Sequence, residues 1–181
     1  MRRIIAVFGL AVVLTGCSAP IPNKVSPDEY EIYSQWMKGY FSKAAPANLY
    51  IQRTTFTYDP LENKGACGGA ELHKDGVPWS LLKEIHTLGE AAYPLDVNSP
   101  TTKLRIPWKY GVVDDWPGAS PKPGGYDMIA FSRVAFNRGH TEALFAIDDV
   151  CGGLCGHGGY IRAHKESNTW VFRPGECAWV Y

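Results

Sequence analysis

The sequence carries no net charge and no block of like charge. Its 181 residues include 18 Lys or Arg and 18 Asp or Glu, so the formal charge is zero. A protein that binds nucleic acid through the phosphate backbone needs a net basic surface to displace counterions. The composition therefore argues against a nucleic-acid binder. Apolar residues at 45% with charged residues at 20% indicate a folded chain rather than a disordered one.

The sequence also lacks the common catalytic motifs. A Gly-x-Ser-x-Gly nucleophile elbow, a phosphate-binding loop and a His-Glu-x-x-His zinc motif are all absent. We therefore predict no cofactor, no metal ligand and no catalytic residue from the sequence. Whether the protein is an enzyme stays open at this point.

Long apolar runs are absent beyond the start of the chain, and the one at the start is short. Arg2 and Arg3 precede an apolar run from Ile4 to Leu14. A helix of that length spans about 16 Å, whereas a hydrocarbon core is about 30 Å thick. The run is therefore typical of the central region of a signal peptide rather than of a permanent membrane span.

Leu14-Thr15-Gly16-Cys17 follows this run and resembles the bacterial lipobox. The resemblance implies that residues 1–16 are a cleaved signal peptide and that Cys17 carries acyl chains such as palmitate, which anchor the protein in a membrane. In such lipoproteins, Ser18 in place of an acidic residue indicates the outer membrane. A secretory signal with a chance cysteine is the alternative. We expect residues 17–25 to form a tether, because its prolines prevent a helix, and residues 26–181 to form one domain.

Four cysteines remain after Cys17, an even number that favours two disulfides outside the cytoplasm. We predict the pairs Cys151–Cys155 and Cys67–Cys177, because the glycines after Cys151 allow the chain to turn. The swapped pairings stay open. Two other interpretations are a zinc site built from Cys151, Cys155, His157 and Cys177, and a redox-active Cys151–Cys155 pair.

Hydrophobic periodicity predicts an α+β fold in which two helices pack on an antiparallel sheet that ends in a β-meander. Ser26, Pro27 and Glu29 mark the start of the first helix, which we expect over about 27–42. The second, shorter helix is predicted within 78–92. Strands are predicted over the ranges 49–58, 103–113 (interrupted at Pro107), 128–136, 143–150, 160–165, 169–173 and 177–181. The ranges 59–69 and 114–125 are predicted as loops.

The C-terminal third contains three segments that form a pattern: Ser132-Arg133-Val134-Ala135-Phe136-Asn137, the loop from Cys151 to Gly158, and Lys165 with Trp170. This pattern resembles a family of uncharacterised bacterial secreted and lipoprotein domains. It implies a shared fold but transfers no catalytic residue. Cys67 and Cys177 lie outside the family pattern, so their disulfide is a local addition to it.

Three residues are candidates for contact with a partner: His157, Arg133 and Trp116. His157 lies on the glycine-rich loop, where the backbone is accessible. Arg133 interrupts an apolar strand and, if buried, needs a carboxylate such as Glu142 or Asp148. Trp116 lies in the loop rich in proline and glycine, where an exposed aromatic ring suits glycan or protein recognition.

The paired acids Asp148 and Asp149 are expected to be solvated, on opposite faces of a strand. With no catalytic constellation, the favoured function is a membrane-anchored envelope module that binds or inhibits a protein or glycan partner. One alternative is a periplasmic hydrolase that uses His157 or His140 with an acid, and the other is a purely structural envelope lipoprotein. The sequence predicts no oligomeric state.

Overall fold

The computed structural model describes residues 24–62, 67–97, 103–114, 126–151 and 155–180. The predicted signal peptide, Cys17, most of the tether and Trp116 lie outside the described residues. The elements are α1 (Pro27–Tyr40), β1 (Leu49–Gln52), α2 (Gly69–Lys74), α3 (Trp79–Leu88), β2 (Tyr110–Val113), β3 (Asp127–Phe131), β4 (Ala135–Phe136), β5 (Glu142–Val150), β6 (Gly156–Glu166) and β7 (Thr169–Val180). The predicted α+β class is confirmed.

These strands form a single sheet in the order β2-β1-β3-β5-β6-β7, with β4 paired to β5. The strands β5, β6 and β7 form the predicted antiparallel meander. The expectation of a wholly antiparallel sheet is wrong at the other end, because β1 pairs in parallel with both β2 and β3. Parallel neighbours require a crossover connection, and α2 and α3 lie in the segment that joins β1 to β2.

Helix α1 begins where the sequence predicts. Ser26 Oγ accepts a hydrogen bond from the backbone N–H of Glu29 at 3.3 Å, and Glu29 Oε2 accepts one from the N–H of Ser26 at 2.7 Å. This reciprocal pair is a capping box and satisfies two otherwise free amides. The helix ends at Tyr40, two residues before the predicted boundary.

The sheet lies between α1 on one face and α2 with α3 on the other. Along β5, Phe145 and Ile147 belong to the core beneath α1, and Leu144 and Ala146 belong to the core beneath α3. This alternation follows from the period of two in a strand. On the first face, the Tyr33 ring of α1 stacks on Phe131 with centroids 4.3 Å apart.

Several element boundaries differ from the prediction. The strand predicted over 49–58 ends at Gln52, and the predicted loop over 59–69 ends where α2 begins. Strand β6 begins at Gly156 rather than Tyr160, because β5 and β7 pair with its glycines on both sides. Strand β7 continues through Pro174, next to a register shift in its pairing with β6. A proline, which has no backbone N–H to donate, is tolerated there because β7 is an edge strand.

Candidate functional site

Tyr40, Asp149 and His157 meet beside the C-terminal end of α1. Asp149 of β5 and His157 of β6 are direct register partners across the antiparallel pair. The Tyr40 hydroxyl donates a hydrogen bond to Asp149 Oδ2 at 2.6 Å and lies 2.9 Å from His157 Nε2. Because the phenol gives its one proton to the carboxylate, its oxygen is free to accept from a protonated Nε2. A chain of hydrogen bonds therefore runs from His157 through Tyr40 to Asp149.

Asp149 is buried, with only 2% of its surface exposed. Its Oδ1 atom accepts no hydrogen bond from the residues that the structure describes. Burial raises the pKa of Asp149, the negative charge of Asp127 adds to this effect, and the hydrogen bond from Tyr40 opposes it. The expectation that both adjacent acids are solvated is wrong for Asp149, because its strand lies in the middle of the sheet and α1 covers that face.

Burial also raises the pKa values of two neighbours on the same face. The pKa of Tyr40 is raised by burial and by its hydrogen bond to Asp149. The pKa of Asp127 in β3 is raised by burial. On the opposite face, Asp148 accepts a hydrogen bond from Trp179 Nε1 at 3.2 Å, as strand alternation predicts. The α1 face of the sheet therefore carries an acidic end that is poorly solvated.

A cavity of about 450 Å³ opens between the second half of α1 and strands β5, β6 and β7. Its wall is mostly apolar and includes Trp36, Ile147, Ile161 and Phe172. Polar side chains on its lining include those of Tyr40, His157 and Tyr160, and the first two belong to the hydrogen-bond chain, which gives the mostly apolar space a polar end. Pockets of this size and character are typical small-molecule binding sites.

Two glycines leave room for this cavity. A Cβ atom built on Gly39 of α1 meets nothing within 4 Å, so the helix presents bare backbone to open space. A Cβ atom on Gly159 of β6 would lie 2.7 Å from the carbonyl oxygen of Cys177. A side chain at position 159 is therefore incompatible with the close approach of β7 to β6 beside the cavity.

Two disulfides brace the region around the cavity. The Cα atoms of Cys67 and Cys177 lie 5.2 Å apart, and those of Cys151 and Cys155 lie 5.1 Å apart. The first bond ties the start of α2 to β7, and Cys177 itself lines the cavity. The second closes the hairpin between β5 and β6, next to Asp149 and His157. With their sulfurs paired, these cysteines are not available as the zinc ligands considered above.

Arg133 lies elsewhere, in the core. It is 2% exposed and pairs with Glu29 of α1 through Nε to Oε1 at 2.7 Å. The expected partners Glu142 and Asp148 are both wrong, because Arg133 faces α1 and Glu142 instead pairs with Arg162. The interpretation of Arg133 as a structural ion pair therefore fits better than contact with a partner, since its guanidinium is enclosed.

His140, the other histidine considered for a hydrolase, is not among the described residues that line the cavity. His140 is exposed and lies 2.9 Å from Asp28 Oδ2, and its ring stacks on Phe136. Trp116 itself lies outside the described residues, and of the aromatic residues on either side of its loop, Tyr126 is buried and Trp108 packs against the core beneath α1. His157 is thus the sequence candidate that the structure places at the cavity.

The sequence analysis did not predict that Asp149 and Tyr40 lie beside His157. A signal for Asp149 was present, because a hairpin closed by Cys151 and Cys155 is centred on residue 153 and therefore places 149 opposite 157. Tyr40 had no such signal, because its contact with β5 spans 109 residues. Within the described ranges, no group of three or more His, Cys, Asp or Glu side chains is arranged to hold a metal ion.

Comparison with known proteins identifies only the start of the chain. Residues 1–18 match the family model described as the prokaryotic membrane lipoprotein lipid attachment site. No curated protein and no solved structure matches the chain. The match supports a bacterial lipoprotein that is anchored in the cell envelope by a lipid at its N-terminus. In the described part of the chain, no helix is both long enough and apolar enough to cross a bilayer.

Proposed function

We propose that this lipoprotein is a binding module of the bacterial envelope and that the cavity beside α1 is its binding site. The observation that carries the proposal is the mostly apolar space that ends in the Tyr40 hydroxyl and His157. In such a site, the apolar wall supplies affinity and the few fixed polar groups orient the ligand. A purely structural lipoprotein has no need of such a space.

The lining favours a partner that offers an apolar group over one that offers only sugar hydroxyls. A sugar needs many hydrogen-bond partners when it is buried, whereas the described lining offers few polar side chains, among them those of Tyr40, His157 and Tyr160. Trp36 and Tyr40 stack with ring centroids 4.7 Å apart and form a continuous aromatic wall. Such a wall suits the large apolar contacts that dominate binding energy.

Binding is also better supported than hydrolysis. Activation of a nucleophile needs a hydroxyl or thiol within hydrogen-bond reach of a base. On the described lining of the cavity, the sulfur belongs to a disulfide, and the hydroxyl within reach of His157 is that of Tyr40. Tyr40 donates its proton to Asp149 and burial raises its pKa, so its hydroxyl is a poor nucleophile. The hydrolase alternative therefore becomes an outcome to test rather than a second proposal.

Two finer assignments belong to the same proposal. The outer membrane is the proposed location, because Ser18 follows Cys17 where an acidic residue would retain a lipoprotein in the inner membrane. Membership of the uncharacterised domain family is proposed from the segment around Arg133 and the loop that begins at Cys151. Neither assignment changes the argument for the cavity.

Filling the cavity from α1 tests the proposal. Gly39→Phe places a ring in the open space, and Gly39→Ala is the matched control that leaves most of the space free. The wild type and each variant are incubated separately with an envelope extract, and the material that co-purifies with each protein is compared. A partner retained by the wild type and Gly39→Ala but lost with Gly39→Phe supports the proposal. Equal recovery with Gly39→Phe overturns it, and fragments released from envelope polymers by the wild type would establish the hydrolase instead.

A further inference from the structure

Acidic groups lie behind the part of the cavity that Tyr40 lines, and we argue that their charge selects among apolar ligands. Asp149 of β5 and Asp127 of β3 lie on the α1 face of the sheet, and the charge of Asp127 disfavours ionisation of Asp149. Asp148, which points to the opposite face, adds to the same negative field. The positive contribution to Asp149 comes from His157, and neither lysine nor arginine lines the cavity among its described residues.

Of these acids, Asp149 contacts the cavity residue Tyr40 directly. It is 2% exposed, and its Oδ1 atom accepts no hydrogen bond from the described residues. An ionised carboxylate that is withdrawn from water and not fully hydrogen-bonded is unfavourable on its own. A nearby positive charge offsets this penalty more strongly than it would in water, because the local dielectric constant is low.

The walls suit a cation as well. The faces of aromatic rings attract ammonium groups, most strongly those of Trp and Tyr. Trp36 and Tyr40 form a stacked pair at one side of the cavity, and Phe172 lines another. A ligand with an apolar body and an ammonium end would therefore find apolar walls and ring faces in one space, with the carboxylate of Asp149 directly behind Tyr40.

Building on the proposed function, we infer that the cavity binds an organic cation: an ammonium group carried on an apolar body small enough for about 450 Å³. The ammonium group lies at the end formed by Tyr40 and His157, and the carboxylate of Asp149 lies behind it, in contact with the Tyr40 hydroxyl. The apolar body lies between α1 and the sheet, beneath Gly39. An anion of the same shape is repelled by Asp149 and Asp127.

Three probes that share one apolar body separate charge from shape. Phenethylammonium is the cation, phenethyl alcohol is the neutral control and phenylacetate is the anion. Binding to the mature lipoprotein in lipid nanodiscs is measured calorimetrically at about pH 8, where an ordinary histidine is neutral. Empty nanodiscs provide the correction for partition of each probe into the bilayer.

We expect phenethylammonium to bind at least about tenfold more tightly than either control probe. Asp149→Asn keeps an acceptor for the Tyr40 hydroxyl and removes the charge, so the ammonium and the alcohol should bind with similar affinity to that variant. Asp127→Asn should reduce the preference in the same direction, which keeps the test decisive if Asp149→Asn fails to fold. Gly39→Phe should abolish binding of all three probes, and Gly39→Ala should not.

The outcomes separate this inference from the proposal on which it rests. If the alcohol or phenylacetate binds the wild type as tightly as the ammonium does, and Gly39→Phe abolishes that binding, the cation assignment is wrong and the cavity remains a binding site. A preference for the ammonium that survives both Asp→Asn variants overturns the role of the two carboxylates and the placement of the ammonium group in front of Asp149. If no probe binds the wild type, or if Gly39→Phe binds them equally well, both the assignment and the proposed function fail.

Discussion

Glu29 and Arg133 form a buried ion pair although 104 residues separate them in the sequence. Arg133 Nε donates to Glu29 Oε1 at 2.7 Å and its Nη2 donates to Oε2 at 3.1 Å, in the two-point geometry that suits a guanidinium and a carboxylate. Glu29 also accepts from the backbone N–H of Val134 at 3.1 Å. The pair therefore fixes the first turn of α1 on the sheet, and the same helix carries Trp36 and Tyr40 to the cavity.

Removal of the cation should be strongly destabilising. Arg133→Met leaves the carboxylate of Glu29 buried without its charge partner, and we expect a loss of about 3–5 kcal/mol in the free energy of unfolding. Urea denaturation followed by tryptophan fluorescence measures the change. A loss below about 1 kcal/mol, the range of an exposed pair, would show that the pair contributes little to the fold.

A double variant separates the ion pair from the loss of side-chain packing. Glu29→Gln removes the charge and keeps an amide oxygen for the N-terminal amides of the helix. The variant Glu29→Gln with Arg133→Met should therefore lose less stability than the sum of the two single changes. Additive losses would contradict a direct interaction between these two residues.

The sequence predicted those features that depend on residues close together in the chain, and it did not predict those that depend on contacts between distant segments. The start of α1 was predictable, because the capping box lies within Ser26–Glu29. The antiparallel meander was predictable from alternation and short turns. The parallel pairs of β1 were not, because periodicity does not record the direction of a neighbour. The partner of Arg133 was missed for the same reason, since the choice of carboxylate depends on where α1 packs.

The candidate site shows the same division. His157 was proposed from its position on the glycine-rich loop, and hairpin symmetry about the Cys151–Cys155 pair would have placed Asp149 opposite it. Tyr40 and the cavity depend on the placement of α1 over the sheet. No local pattern contains that placement, which is decided by tertiary packing.

Asp149 should make stability depend on pH in a specific direction. Burial raises its pKa above the ordinary value of 3.8, so above that pH the folded protein retains a proton that the unfolded chain releases. The free energy of unfolding due to this residue therefore falls as the pH rises through the folded-state pKa. Four neighbouring groups influence the pKa of Asp149: Asp127, Asp148, Tyr40 and His157. All four are present both in the wild type and in the Asp149→Asn variant.

Asp149→Asn removes this titration and keeps an acceptor for the Tyr40 hydroxyl. We expect the variant to equal or exceed the wild type in stability at about pH 7, and the difference to shrink toward about pH 4, where an ordinary carboxyl begins to protonate. Denaturation of both proteins at several pH values gives the difference directly. A variant that becomes progressively less stable than the wild type as the pH rises would show that the ionised carboxylate is stabilising.

Cys17→Ser should abolish anchoring. The hydroxyl cannot replace the thiol that carries the lipid, so the variant should lack the mass of the acyl chains and retain residues 1–16. Membrane fractionation and intact mass measurement check both points. Ser18→Asp is the matched variant, because it leaves Cys17 in place and should move the lipidated protein from the outer to the inner membrane. Normal acylation of Cys17→Ser would overturn the assignment of the lipidated residue.

The two disulfides should differ in their contribution to stability, because the loops that they close differ in length. Cys67 and Cys177 are 110 residues apart, whereas Cys151 and Cys155 are 4 apart. Loop-closure entropy predicts a loss of about 5 kcal/mol when both cysteines of the long pair are changed to serine, and of about 2 kcal/mol for the short pair. The short-pair double variant is the control for exchange of sulfur for oxygen, and chemical denaturation gives both values. Equal losses would show that local packing around Cys177 and the β5–β6 hairpin, rather than chain entropy, determines what each bond contributes.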